Sequence, residues 1–517
     1  MALPVYTVKE CSKGSESKTI EMKKIIIFLS VVLLAASCCR FDVREQLAED
    51  IIIYPDYKDV TVPFNIAPLN FMTLGVQKGA VRFSADDGLS TDVAVKDGKV
   101  DIPIRKWRNM LDSSKGGSLS VTVADADGNA YRPFHIHVSA DPVDRYVAYR
   151  LIEPGYVLWN EMGIYQRDLE SFRQTAIVEN KEIDHACVNC HSFADRDPET
   201  MVMHARKTAY GGTYIQKDGR WEMLDTKTPQ TISALVYPFW HPGRRFVAFS
   251  VNDTKQTFHV SDLNKIFVYD FKSDVVVYDT DERKLLTAPA LFSRTAFETF
   301  PAFSNDGKRL YYCTADSVKM PTDYRQLKYS LCSIEFDENT GSFGKTDTLV
   351  RAGSESVTMP RVSPDGRYLL YTSTAYGNFT VWHKDADLAL IDLADGSTRK
   401  AGEWNSSDAE SYHSWSGNSR WAVFSSRRDG TGFTRLYIGH IGEDGKLGKA
   451  FLLPQKDPES NKRLMKSYNI PEFVEGKVSP KGYAIRNVED RYQVGFAGSY
   501  LPVDLDGATG ASVSPVN

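Results

Sequence analysis

One phrase recurs along the second half of the chain, and it restricts the fold more than any other feature. Tyr237-Pro238-Phe239-Trp240-His241-Pro242-Gly243-Arg244-Arg245-Phe246-Val247-Ala248-Phe249-Ser250 returns from Phe300 through Pro301, Asn305-Asp306-Gly307 and Leu310-Tyr311-Tyr312 to Cys313. It returns again from Met359 through Pro360, Pro364-Asp365-Gly366 and Tyr368-Leu369-Leu370 to Thr372, and more loosely from Tyr412-His413 to Ser425. Counted from Pro238, Pro301, Pro360 and His413, the spacings are 63, 59 and 53 residues. Each copy reads as a short entering strand, a turn that needs positive φ at Gly, and an apolar strand, which together make a hairpin. Repeats of this length suit one four-stranded propeller blade each.

The phrases resemble the WD-like repeats of the TolB-type β-propeller family over residues 185 to 470. The resemblance implies an all-β ring and is nearly silent about function. Four clear repeats, a blade around residue 190 and a composite blade begun near Tyr146-Val147-Ala148 give six blades, with five or seven also open. Tyr468-Asn469-Ile470-Pro471-Glu472-Phe473 is placed to close the ring by pairing with the first blade.

Cys187-Val188-Asn189-Cys190-His191 is the Cys-x-x-Cys-His attachment signature of c-type haem. Two thiols three residues apart can reach two vinyl groups on one porphyrin edge, and the next imidazole then binds the iron. At this composition the pattern would arise by chance about 0.002 times per chain. Cys187 and Cys190 are therefore the expected thioether residues of one haem c, and His191 the proximal iron ligand. For the distal position the reading favours Met203 or Met201 over His204, with His185, His241 and His413 further afield. Cys190 to Phe193 can be laid on the entering strand of the repeat and Met201 to His204 on the next. The expected haem site, 187–204, then takes the place of a blade turn at one mouth or rim of the ring.

The remaining sequence supplies an address and a second domain. Met22 to Cys38 runs from a basic start through an apolar stretch to small residues, the order of an export signal. Leu34-Ala35-Ala36-Ser37-Cys38 resembles a bacterial lipobox, which implies lipidation of Cys38 and a periplasmic or outer-membrane lipoprotein; Cys39 competes for that role. Residues 1–44 are read as leader, signal and tether. Short alternating segments over 45–145, including Val100-Asp101-Ile102-Pro103-Ile104, predict an immunoglobulin-like β-sandwich. The propeller is expected over 146–480 and a C-terminal extension over 481–517. His135 and His137 share one strand face of the expected sandwich, a weak candidate for a metal pair.

A net charge of −5 gives no basic excess for phosphates, so nucleic acid is not an expected partner. The leading functional expectation is an exported, lipid-anchored, cytochrome-like electron-transfer protein. Two alternatives stand beside it: a propeller docking module with a sensory or structural haem, and a haem peroxidase-like enzyme. Expected partners are the membrane, through the lipid, a redox protein, and a peptide or glycan at the propeller mouth. Cys313 and Cys332, 19 residues apart in one expected blade, are either a cross-strand disulfide or two buried thiols.

Overall fold

The computed structural model describes residues 41–153, 160–206, 209–226, 231, 233–259 and 261–497. Cys11, the expected export signal over 22–38 with Cys38, Cys39, and the last twenty residues lie outside the described residues. The chain is all-β, a β-sandwich followed by a six-bladed propeller. No helix among the described residues is long and apolar enough to cross a membrane.

The N-terminal domain is built on Lys78–Ala85, which pairs antiparallel with Ser90–Lys96 on one side and Ser118–Asp125 on the other. Alternation along these strands turns Val81, Phe83, Val121 and Val123 inward. The stretch expected as a strand around Ile102 departs from that reading. Its strand ends at Val100, and after Pro103 a helix runs from Ile104 to Ser113. Proline's fixed φ suits the residue entering a helix, and Trp107, Met110 and Leu111 recur at helical spacing to fill the core. Trp107 Nε1 donates to the Ile66 carbonyl at 3.0 Å, so its polar edge is satisfied inside that core. His135 and His137 are exposed on Phe134–Ser139, a strand paired on both sides, not an edge strand.

Six sheets then follow around a ring. The first blade is composite: the late strand Ser467–Val474 pairs antiparallel with Tyr146–Ile152, which continues to Gly163–Asp168 and Gln174–Glu179. The second blade begins on Cys187–Phe193 and continues through Met201–Arg206, Gly212–Lys217 and Arg220–Asp225. The third to sixth blades open on Leu235–Trp240, Ala296–Phe303, Ser356–Val362 and Glu410–Trp415. The blade turns have one chemistry: Asp306 and Asp365 each accept from a serine hydroxyl at 2.6 Å and from a backbone N–H at 3.1 Å. Gly307 and Gly366, beside them, have φ of +72° and +74°.

Two features hold the parts together. Asp490–Gln493 and Gly495–Phe496, from the C-terminal extension, pair parallel with the outer strands of the second and third blades and cover edges that would otherwise be open. The sandwich packs on the sixth blade, where Tyr57 donates to the Leu452 carbonyl at 3.2 Å and Lys449 reaches Asp56 at 2.8 Å. One apolar cluster runs from Trp107 and Phe71 into Trp421 and Phe451.

Cys313 and Cys332 are free thiols on adjacent strands. Register forbids their bonding: Cys332 stands opposite Tyr312 and Cys313 opposite Leu331, so the two side chains leave opposite faces of the sheet. Cys313 packs with Tyr329 and Met359, and Cys332 with Phe246 and Phe336.

Two predictions follow from these contacts. Phe473, fully buried on the closing strand, should cost about 3–5 kcal/mol on replacement by Ala, measured by urea unfolding; a loss under about 1 kcal/mol would contradict its place in the core. The second concerns Glu298, which burial and the neighbouring Asp274 carboxylate push up to about 9, and Asp274, which burial raises to about 7. Both folded values lie above the unfolded ones, so this contribution to stability is complete at low pH. It is lost as pH rises through about 7 and then about 9. Glu298→Gln should flatten the upper part of that decline in unfolding free energy against pH, and an unchanged profile would contradict the assignment.

Candidate functional site

The site grows from a backbone irregularity repeated in all six blades. Cys190, Tyr237, Phe300, Met359, Tyr412 and Ile470 each have φ between 41° and 56°, a rare conformation for residues other than glycine. At each of them the pairing of the inner strand with its neighbour slips in register. A bulge of this kind bends the strand and re-aims its side chains, and here it turns one side chain per blade toward the axis. Tyr237 and Phe300 meet at 4.6 Å between ring centroids, and Phe300, Met359 and Tyr412 share one cluster with Ile470 against it.

The bulge residues wall a central cavity of about 430 Å³. His191, Arg361, His413 and Glu472, each one or two residues beyond a bulge, line the same space. The volume lies in the range of small-ligand sites. Trp240 Nε1 donates to Ser192 O at 3.3 Å and Trp415 Nε1 to Arg361 O at 3.0 Å, so indoles tie neighbouring inner strands together around the cavity.

His191 is 2% exposed, and neither ring nitrogen has a hydrogen-bond partner among the described residues. Burial, with the Arg150 guanidinium nearby, pushes it down to about 3, so the imidazole is neutral with a lone pair free at neutral pH. An unpartnered buried imidazole costs free energy that a ligand on one nitrogen would recover. Cys190 lies on the cavity wall with its thiol pushed up by burial. Cys187 is buried behind the start of the same strand, against Ile152 and Met162. Asn189, between the two cysteines, accepts from the Cys190 backbone N–H at 2.9 Å and from Arg150. Cys187, Cys190 and His191 share one seven-residue strand, with Cys190 and His191 on the cavity wall and Cys187 off it.

The distal candidates lie elsewhere. Met201 and Met203 are fully buried in the core with Val188 and Tyr214, and His204 Nδ1 meets Thr213 Oγ1 at 3.1 Å; none of the three lines the cavity. His185 is exposed. His241 packs edge-on against Phe303 at 4.9 Å and contacts Gly307 O at 3.2 Å, a blade-packing role. His413 is on the cavity wall, its Nε2 3.0 Å from Leu370 O. Met359, unnoticed in the sequence, is also there and accepts from Ser411 Oγ at 3.4 Å. The second and fifth blades are three apart in a ring of six, so Met359 faces Cys190 across the axis. Aligning Cys190 with Tyr237, Phe300 and Met359 in the repeat is the signal that would have found it.

Arg361 and Glu472 add charge to this wall. Burial pulls the Arg361 guanidinium down to about 10 and raises Glu472 to about 7. Glu472 is held by the Phe193 backbone N–H at 3.0 Å.

No family model and no curated protein matches the chain. Among solved structures it is similar to TolB from Acinetobacter baumannii, at 12% identity over 72% of this chain and 85% of that one, with a TM-score of 0.40. It is also similar to a puromycin hydrolase, at 13% identity over 60% and 52% with a TM-score of 0.37. An oligogalacturonate lyase from Vibrio parahaemolyticus matches at 13% identity over 77% and 93%, with a TM-score of 0.33.

Burial gives a prediction for the motif. In chain produced without any attached group, Cys187 and Cys190 should resist iodoacetamide while folded and react once unfolded; rapid alkylation at either of these two residues in the folded chain, read by peptide mass, would contradict the buried placement.

Proposed function

We propose that the chain is an exported, lipid-tethered, cytochrome-like protein whose propeller holds one haem c and passes single electrons between protein partners. The observation that carries this reading is His191, a buried neutral imidazole with both nitrogens unpartnered, one residue from a reduced cysteine on the cavity wall. A haem held there supplies a one-electron iron couple.

The protein's own groups have distinct parts in this proposal. Cys187 and Cys190 would hold the haem through their sulfurs, and His191 would hold its iron through a ring nitrogen. Asn189 and Arg150 brace the segment between the cysteines. Tyr237, Phe300 and Tyr412 would keep water from the axis, and Arg361 would offer a cation to an anionic part of the group. Met359 and His413 replace Met201, Met203 and His204 as the proposed candidates for a second iron ligand, because they share the cavity wall with His191. Export through Met22 to Cys38 would bring the chain to the periplasm or outer membrane with lipid on Cys38, and the sandwich would serve as spacer. A second reading, a propeller that binds a peptide or glycan ligand beside a structural or sensory haem, is favoured by the opposite charge types of Arg361 and Glu472 on the same wall.

The visible spectrum of detergent-solubilised protein tests the proposal. Dithionite should give the sharp bands of low-spin haem c, and the pigment should stay with the denatured polypeptide. Met359→Ala or His413→Ala, whichever removes the ligand, should convert the spectrum to high spin with the haem still attached. A colourless chain, or haem released on denaturation, would contradict the proposal.

A further inference from the structure

The central cavity is built in levels, because residues two apart on an inner strand face the same way. Two residues on from each bulge stand Ser192, Phe239, Ala302, Arg361, Ser414 and Glu472, and all but Ala302 line the cavity. Followed around the ring from the fifth blade through the sixth and first to the second, this level is polar: Arg361, Ser414, Glu472, Ser192. The third and fourth blades complete it with Phe239 and Ala302. The neighbouring level is that of the bulge residues themselves, and Tyr237, Phe300, Met359 and Tyr412 make it apolar.

Besides its histidines, the cavity has two acidic and two basic side chains on its wall. Asp195 and Arg196 pair with each other at 2.8 Å. Arg361 and Glu472 enter no ion pair among the described residues, although each lies in the other's field. Each is held on its own side. Arg361 Nη1 donates to the Pro360 carbonyl at 2.7 Å, and the guanidinium carbon lies 5.0 Å from the centroid of the Phe239 ring. Glu472 Oε1 accepts from the Phe193 N–H at 3.0 Å and from the Ser192 hydroxyl at 3.4 Å, on the side of the second blade. Arg361 Nε and Nη2 and Glu472 Oε2 keep no hydrogen-bond partner among the described residues. On the sixth blade, between the two, the Ser414 hydroxyl is buried without a partner. Opposite charges taken from water and kept from each other cost free energy. A ligand that brings an anion to one and a cation to the other removes both costs. A neutral sugar removes neither, and a group of one charge removes only half.

Resting on the second reading of the site, we propose that the cavity binds a free α-amino acid with a large apolar side chain, its carboxylate on Arg361 and its ammonium on Glu472. The Ser414 hydroxyl donates to the same carboxylate, and the side chain lies on the neighbouring level among Tyr237, Phe300, Met359 and Tyr412. Under that reading Arg361 serves the ligand and not the haem. A cavity of about 430 Å³, charged on one level and aromatic on the next, suits a small ligand that is charged at one end and apolar at the other.

The full chain is titrated calorimetrically at pH 8 with L-phenylalanine, with 3-phenylpropanoate, which lacks the ammonium, and with phenethylamine, which lacks the carboxylate. The expected result is one L-phenylalanine per chain, bound at least about tenfold more tightly than either analogue. Arg361→Gln should weaken phenylalanine and phenylpropanoate at least about tenfold and leave phenethylamine unchanged. Glu472→Gln should weaken phenylalanine and phenethylamine and leave phenylpropanoate unchanged, a crossed pattern that general damage to the fold does not produce. The comparison of the three probes on the unmodified chain stands even where a variant fails to fold. No binding of L-phenylalanine, or equal binding of all three probes, would overturn the proposal. The visible spectrum of the same sample keeps the two readings apart: haem without phenylalanine binding overturns the ligand alone, and phenylalanine binding by a colourless chain overturns the haem alone.

Discussion

The ring is held shut by one piece of backbone pairing. Ser467–Val474, near the end of the folded chain, lies against Tyr146–Ile152, near the beginning of the propeller, and completes a blade that neither segment could form alone. With that pairing made, six inner strands converge on the axis, and their positive-φ bulges become neighbours instead of six isolated irregularities. The cavity, the burial of His191 and the opposition of Cys190 and Met359 all depend on this closure, because their partners come from blades far apart in sequence.

This arrangement explains how a short motif can sit in a rigid site without a domain of its own. Cys187–Phe193 is one blade's inner strand, paired to Met201–Arg206, and Trp240 stitches it to the next blade. A site built on a strand of a closed ring has little freedom to reorganise, which suits a proposed electron carrier whose metal ligands should stay fixed between oxidation states.

Much of the fold was legible because the repeat carries its own turn chemistry. Pro238, Pro301 and Pro360 mark the entering strands, Asp306 and Asp365 the turns, and Ile470-Pro471 the closing strand. Residues beyond the blades were less legible. The helix at Ile104 was hidden by a short apolar run ending in Pro103-Ile104, which reads equally as a strand, and the strap formed by Asp490–Gln493 has too few residues for a pattern. In the site, Cys187, Cys190 and His191 stood out by spacing, whereas Met359 and Arg361 did not. Strand alternation around Met201 and Met203 says which way a side chain points, but not which blade lies across the axis. Register also decided Cys313 and Cys332, one position out of step, which their sequence separation could not reveal.

The central claim is that the inner strand of the second blade carries a covalent prosthetic group. The mass of the proteolytic peptide spanning residues 187–191, taken from chain exported in a host that matures c-type haem, addresses it most directly. The account predicts a peptide heavier by one haem, with neither Cys187 nor Cys190 available to alkylation. An unmodified peptide with two alkylatable thiols would contradict it.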